Sequence, residues 1–121
     1  MVIVDTSIWV DHLRSGNKHL EKLLLDVEVI CHEFVIGEIA CGNLKNREEI
    51  ITLLHALPQS PTVGHQEFLY FIDKNRLMGR GIGFVDVHLL ASAKLANVPL
   101  WTGDNRLKTA AEDLSLNYSL R

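Results

Sequence analysis

The stretch VIVDTSIWV at residues 2–10 decides how the rest of the chain is interpreted. It opens with three β-branched apolar residues, which predict a short buried strand at Val2–Val4. An aspartate, Asp5, and two hydroxyl residues follow at once, and either hydroxyl can cap a helix that runs through Ile8–Leu13. A carboxylate is costly to bury without a partner, so its place at the end of a buried strand needs a reason.

Outward from this stretch, short apolar runs alternate with segments of helical periodicity. Further strands are predicted at Glu28–Cys31, Pro61–Val63, Pro99–Thr102 and Asn117–Leu120, and further helices at Lys18–Asp26, Glu33–Cys41, Arg47–Leu57, His65–Leu77, Val85–Ala96 and Asp104–Leu114. Such alternation predicts a parallel sheet that is covered on both faces. We therefore expect an α/β protein, a three-layer α/β/α sandwich around a mostly parallel sheet of four or five strands. With 121 residues and no repeat or linker, residues 1–121 are expected to form a single domain.

Two aspartates follow predicted strands directly. Asp5 leaves the first strand, and Asp104 comes just after Leu100–Thr102. The carboxyl ends of parallel strands meet at one edge of a sheet, and ligands bind in the crevice beyond that edge. The topology alone therefore predicts that two acids far apart in sequence lie close together.

Four of the fifteen acids are embedded in apolar sequence, whereas the others lie mostly in polar runs: Asp5, Glu38, Asp86 and Asp104. Each alone has a plain structural explanation. Asp5 and Asp104 would cap helices, Asp86 would complement a helix dipole in a first turn, and Glu38 would project to solvent. Their joint placement, at two strand ends, one helix start and one helix beside small residues, predicts instead that they converge.

Converging carboxylates need compensation. Two of them about 4 Å apart repel by roughly 4 kcal/mol at an effective dielectric near 20, and protons or a cation must relieve this. Oxygen ligands suit Mg²⁺, and Mn²⁺ would serve as well, whereas the scattered histidines argue against zinc. An acid-held Mg²⁺ can activate a water and stabilise charge on a phosphoryl oxygen, which is the chemistry of phosphodiester hydrolysis. Thr6 and Ser7 would then hold a water or a carboxylate, or only cap the helix.

The composition limits the partners. The net charge of −3 leaves no broad basic surface for nucleic acid, so a polyanion would be attracted by a metal or by a local cluster such as Lys74, Arg76 and Arg80. Those residues are equally explained as a solvated face. No run approaches the ~20 apolar residues of a membrane span, and no signal-peptide pattern opens the chain. We therefore expect a cytoplasmic protein without membrane contact, in which Cys31 and Cys41 stay reduced.

Four stretches occur in a familiar order: VIVDTSIWVDHLR at 2–14, FVIGEIACGN at 34–43, RGIGFVDVHLLASA at 80–93 and LWTGDNRL at 100–107. Together they resemble a PIN-domain ribonuclease, specifically a VapC-type toxin, essentially from end to end. The resemblance implies a Mg²⁺- or Mn²⁺-dependent endoribonuclease, the toxin of a toxin–antitoxin pair, that hydrolyses RNA. It also implies a VapB-type antitoxin inserted near the acidic pocket, a homodimer, and toxin–antitoxin hetero-oligomers that contact DNA only through the antitoxin.

The resemblance also assigns roles to individual residues. Catalytic and metal-binding roles pass to the four acids, with Asp5 and Asp86 as the principal ligands: Asp5, Glu38, Asp86 and Asp104. Ser7 matches a hydroxyl position near the first acid. Ser7 and the neighbouring Thr6 are expected to be supporting residues of the site. Arg80, just before the turn at Gly81–Gly83, is a candidate phosphate contact.

Two other classes of function stay open. The chain could be a catalytically weak PIN-like module that only binds an antitoxin or RNA. It could also be a phosphoryl-accepting receiver, which clusters aspartates around Mg²⁺ on a parallel sheet. A receiver also needs a lysine on a later strand, and the predicted strands carry none.

Overall fold

The computed structural model describes residues 1–120. Within them, three short strands and seven helices follow one another in this order: β1 (Val2–Val4), α1 (Thr6–Ser15), α2 (Lys18–Leu25), β2 (Val29–Ile30), α3 (Glu33–Ala40), α4 (Arg47–Ala56), α5 (His65–Asn75), α6 (Phe84–Ala96), β3 (Leu100–Trp101) and α7 (Asn105–Asp113). Every predicted helix is present, and each end lies within two residues of the predicted one.

The first strand of the chain lies in the middle of the sheet. The strand order is β2-β1-β3, and both neighbours run parallel to β1. Ile3 pairs with Ile30 on one side and with Leu100 on the other. The three residues of β1 are buried, as a strand covered on both faces requires. The α/β/α architecture with a parallel sheet is confirmed.

The predicted number of strands, four or five, is too high for residues 1–120. The segments expected to form the outer strands make only single parallel bridges, Cys31 with Gln59 and Leu100 with Asn117. On one side, the chain after Cys31 enters α3 at Glu33, so it offers no further strand partner beyond the bridge with Gln59. On the other side, only the amide and carbonyl of Leu100 face outward from β3, because the carbonyl of Trp101 accepts a hydrogen bond from β1's end.

The buried apolar side chains form one cluster around the sheet. Helix α6 contributes most to it, since every residue from Val87 to Ala93 is buried. Trp9 and Trp101 both belong to this core. The cysteines are free, with Cys31 buried and Cys41 exposed, and burial raises the pKa of the Cys31 thiol to about 12. Within residues 1–120, no helix combines the length and the apolar character needed to cross a membrane.

Candidate active site

Asp5 occupies the position that the topology predicts, at the carboxyl end of the central strand. It is 5% exposed, and it is itself the N-cap of α1, so of the three capping candidates that the sequence offered, Asp5, Thr6 and Ser7, the first fills the position. Its Oδ1 accepts a hydrogen bond from the Thr6 amide at 2.7 Å. Its Oδ2 accepts from the Ser7 hydroxyl at 2.9 Å and from the Thr102 hydroxyl at 2.7 Å. Three donors from two strand ends therefore fix this carboxylate.

Thr102 joins the two aspartates that follow strands. Besides donating to Asp5, its Oγ1 accepts a hydrogen bond from the Asp104 amide at 3.0 Å. Asp104 in turn caps α7, because its Oδ1 accepts from the amides of Arg106 and Leu107 at 2.9 and 3.0 Å. The adjacent Gly103 amide donates to Ser7 Oγ at 3.0 Å. The loop after β3 is thus held against the start of α1 by side-chain hydrogen bonds.

Glu38 reaches the same network from α3. The Thr6 hydroxyl donates to Glu38 Oε1 at 2.6 Å, across the contact between α1 and α3. Glu38 is exposed, so its second oxygen remains open to solvent or to a ligand. Thr6 and Ser7 therefore contact two different acids, Glu38 and Asp5 respectively.

Asp86 shares an electrostatic environment with the other three acids. It lies in the first turn of α6, half-buried, and its Oδ2 accepts from the Gly83 amide at 2.9 Å. Burial raises the pKa of Asp86, and the negative charges of Asp5, Asp104 and Glu38 raise it further, while the Gly83 amide opposes the shift. Asp86 therefore lies within electrostatic range of acids from three other segments of the chain.

These acids fit a hard divalent cation in kind. Their donors are all carboxylate oxygens, and their crowded negative charge favours a cation. Within residues 1–120, however, no group of three or more His, Cys, Asp or Glu residues is arranged so that it could hold a metal ion. Both oxygens of Asp5 already accept hydrogen bonds, as does Oδ2 of Asp86. Mg²⁺ keeps several waters and needs only one or two carboxylates, so the donor set still suits it.

The basic residues near the site differ from the sequence expectation. The guanidinium of Arg80 forms an ion pair with Asp113, at 2.7 Å between Nη2 and Oδ2. Arg106, which sequence reasoning overlooked, lies over the turn before α6, where a Cβ added to Gly81 would come within 2.6 Å of its Nη1. Thr102 was also overlooked, although a hydroxyl that directly follows a strand, as in LWTGD, is the signal that could have revealed it.

Some known proteins are similar to this chain in sequence, and others are similar in fold alone. The profile of the PIN domain matches residues 2–113. Ribonuclease VapC32 from two strains of Mycobacterium tuberculosis is 46% identical over 114 residues, which cover 93% of this chain and 92% of that protein. The crystal structure of FitAcB from Neisseria gonorrhoeae is similar with a TM-score of 0.64 at 17% identity, over 93% of this chain and 94% of that one. A structure of FitAB bound to an IR36 DNA fragment also has a TM-score of 0.64, at 18% identity, over 93% and 91% of the two chains. The chain therefore belongs to the PIN-domain family, within its VapC branch.

Proposed function

We propose that this protein is a Mg²⁺- or Mn²⁺-dependent endoribonuclease that acts as the toxin of a toxin–antitoxin pair. The observation that carries the proposal is the hydrogen-bonded network at the carboxyl end of the sheet, which connects Asp5, Glu38 and Asp104 through Thr6 and Thr102. The charges of these three acids also act on Asp86. A cluster of like charges opposes folding unless a cation offsets it, so it is retained where it binds one. The similarity to ribonuclease VapC32 supports RNA as the substrate.

We propose a role for each residue of the site. Asp5 and Asp86 would be the principal metal ligands, and Glu38 and Asp104 would complete the acidic pocket. Ser7 and Thr102 keep the Asp5 carboxylate in one orientation, and Thr6 does the same for Glu38. The ion, when bound, supplies activation of a water and stabilisation of charge on a phosphoryl oxygen.

Membership of the VapC branch supports further proposals about partners. We expect a VapB-type antitoxin that inserts near the acidic pocket, a homodimer, and toxin–antitoxin hetero-oligomers that contact DNA through the antitoxin. An RNA substrate is consistent with action in the cytoplasm. Arg80 is kept as a proposed phosphate contact, although it would first have to leave its ion pair with Asp113.

The direct experiment measures RNA cleavage and metal binding in parallel. The wild-type protein should cut a mixed synthetic RNA with Mg²⁺ or Mn²⁺ and not in EDTA, and Mn²⁺ should raise its Tm. Asp5→Asn and Asp86→Asn should lose both the cleavage and the Mn²⁺-induced rise in Tm. Asp73→Asn, which removes an exposed acid at the end of α5, is the matched control and should keep both. Undiminished cleavage by both site variants would overturn the proposed chemistry.

A measurement without metal tests the electrostatic argument by itself. The ionised Asp86 carboxylate destabilises the folded state, because its pKa is raised there above the value of the unfolded chain. Asp86→Asn should therefore have a higher Tm than the wild type in EDTA at neutral pH, and the order should reverse in Mn²⁺. A lower Tm for this variant in EDTA would mean that the four acids do not repel one another appreciably.

The second candidate function is a PIN-like module that binds an antitoxin or RNA without cutting it. It is favoured by the lack, within residues 1–120, of three ligands already arranged around one point. Under this alternative, Mn²⁺ leaves the Tm of the wild type unchanged and RNA remains intact at every metal concentration. The same two measurements therefore distinguish the candidates.

A further inference from the structure

An aromatic pair lies on the two helices that carry Glu38 and Asp86. Phe84 is the first residue of α6, two positions before Asp86, and its side chain is 58% exposed. Phe34 lies on α3 one turn before Glu38, and hence on the same face of that helix. The two rings are stacked, with centroids 6.1 Å apart and planes 23° apart. Because residues two apart on a helix do not face each other, the connection of the pair to the acids runs through Phe34, which lies one turn of α3 from Glu38.

The exposed ring of Phe84 is held in place from beneath. It packs against Phe68, with centroids 4.9 Å apart, and meets the ring of His88 edge-on at 4.6 Å. His88 is 4% exposed and stacks on Phe68 at 4.2 Å with the planes 16° apart. It also contacts Phe34 edge-on at 4.8 Å. Phe84 is thus the outermost member of a rigid aromatic cluster.

The surface between this cluster and the acids is open. Gly37 lies on the same face of α3 as Phe34, one turn along the helix, and it is exposed. A Cβ added to Gly37 would meet no atom within 4 Å. A flat group seated on Phe84 and Phe34 would therefore have free space on its path toward Glu38.

An exposed ring that is packed on other rings and lies near Glu38 can stack with a nucleobase. Single-stranded nucleic acids bind through aromatic side chains on which unpaired bases stack. The net charge of −3 gives this chain little general attraction for a polyanion, and stacking supplies affinity that does not depend on charge.

We propose that Phe84, backed by Phe34, stacks against an unpaired base next to the phosphate that the acidic pocket receives. The ligand is single-stranded RNA, and the contact reads the presence of a base rather than its identity. This inference rests on the proposed function, because the acids must receive a phosphodiester for the neighbouring base to reach Phe84.

The test compares a labelled short oligouridylate with an abasic ribose-phosphate chain of equal length, by fluorescence anisotropy with Ca²⁺ in place of Mg²⁺. The wild type should bind the oligouridylate more tightly than the abasic chain. Phe84→Leu, which keeps an apolar side chain without a ring, should lose about 5- to 150-fold in affinity for the oligouridylate. Its affinity for the abasic chain should stay unchanged. Phe84→Trp should retain the preference, and thermal unfolding confirms that both variants are folded.

Tyr70→Leu is the matched control, since Tyr70 is an aromatic residue 65% exposed on α5, a helix that carries none of the four acids. It should bind both probes as the wild type does. If Phe84→Leu binds both probes as tightly as the wild type does, the stacking contact is refuted. The stacking contact is also refuted if the only effect of Phe84→Leu is a loss of self-association in sedimentation, because a second copy of the chain would then cover the ring.

Cleavage of RNA with Mg²⁺ separates this inference from the proposed function. If the protein prefers the probe with bases, and this preference depends on Phe84, but it never cuts RNA, the stacking site is supported and the proposed nuclease function is refuted. Metal-dependent cleavage by a wild type that shows no base preference would defeat the stacking site and leave the nuclease standing.

Discussion

Protonation of His32 is predicted to destabilise the start of the helix that carries Glu38. His32 is fully buried, and its Nδ1 accepts a hydrogen bond from the Phe34 amide at 3.0 Å as the N-cap of α3. Its Nε2 lies 3.0 Å from Ser92 Oγ and must carry the proton, since Nδ1 is the acceptor. Burial, with a smaller effect from His88, lowers the pKa of His32 from 6.5 to about 4.

The magnitude follows from the difference between the folded and unfolded states. The unfolded chain binds this proton near pH 6.5 and the folded protein only near pH 4, so the unfolded state holds more protons between these values. The stabilisation is therefore fully present above pH 6.5 and is lost as the pH falls toward 4. At about 1.4 kcal/mol for each pKa unit, the complete loss is about 3 kcal/mol. About 2 kcal/mol of it should disappear between about pH 7.5 and about pH 5.

Urea unfolding of the wild type and of His32→Asn at these two pH values measures the effect. Asparagine keeps a side-chain oxygen at the N-cap and does not titrate, so the variant should be less stable at the higher pH but lose about 2 kcal/mol less on acidification. His55→Asn changes an exposed histidine on α4 and should leave the wild-type pH dependence intact. An unchanged pH dependence in His32→Asn, or an NMR titration of the His32 ring near its ordinary pKa, would refute the reasoning.

Three further substitutions test other parts of the structure. Thr102→Val removes a hydroxyl that binds Asp5 and should lower the rate of RNA cleavage about 10- to 100-fold, while Thr102→Ser should retain most of it in the same assay. Gly37→Ala should raise the free energy of unfolding in urea by about 0.4–1 kcal/mol, because the helix there has room for a Cβ. Gly81→Ala should cost about 1–3 kcal/mol and more than Gly79→Ala. Both glycines have positive φ, but only at Gly81 would the Cβ meet a side chain; equal losses in urea unfolding would contradict this.

The fold was largely predictable because local signals agreed with the topology. The apolar run Val2–Val4 followed by Asp5 forms both the central strand and the cap of α1. Too many outer strands were predicted, because the apolar composition of a segment does not show how many free amide and carbonyl groups the edge strand beside it offers for pairing. Leu100 offers one pairing position there, and on the other side the chain enters α3 directly after Cys31 and His32.

The residues of the candidate site were predictable in type but not in contact. The acids could be selected because carboxylates rarely occur in apolar sequence without a reason. Their partners come from distant segments, as Thr102 is 97 positions from Asp5 and Asp113 is 33 from Arg80. No local pattern indicates that Arg80 is engaged by an acid, that Arg106 covers Gly81, or that Phe84 rests on an aromatic cluster.

The central position of β1 in the sheet affects the order in which the protein can fold during synthesis. During synthesis β1 is made before both of its partners, and β3 follows only after six intervening helices. Until then the amide of Asp5 lacks the Trp101 carbonyl, and its carboxylate lacks Thr102. A chain that ends before Thr102 lacks this hydroxyl and Asp104, so the network around Asp5 stays incomplete until β3 and the loop after it have been made.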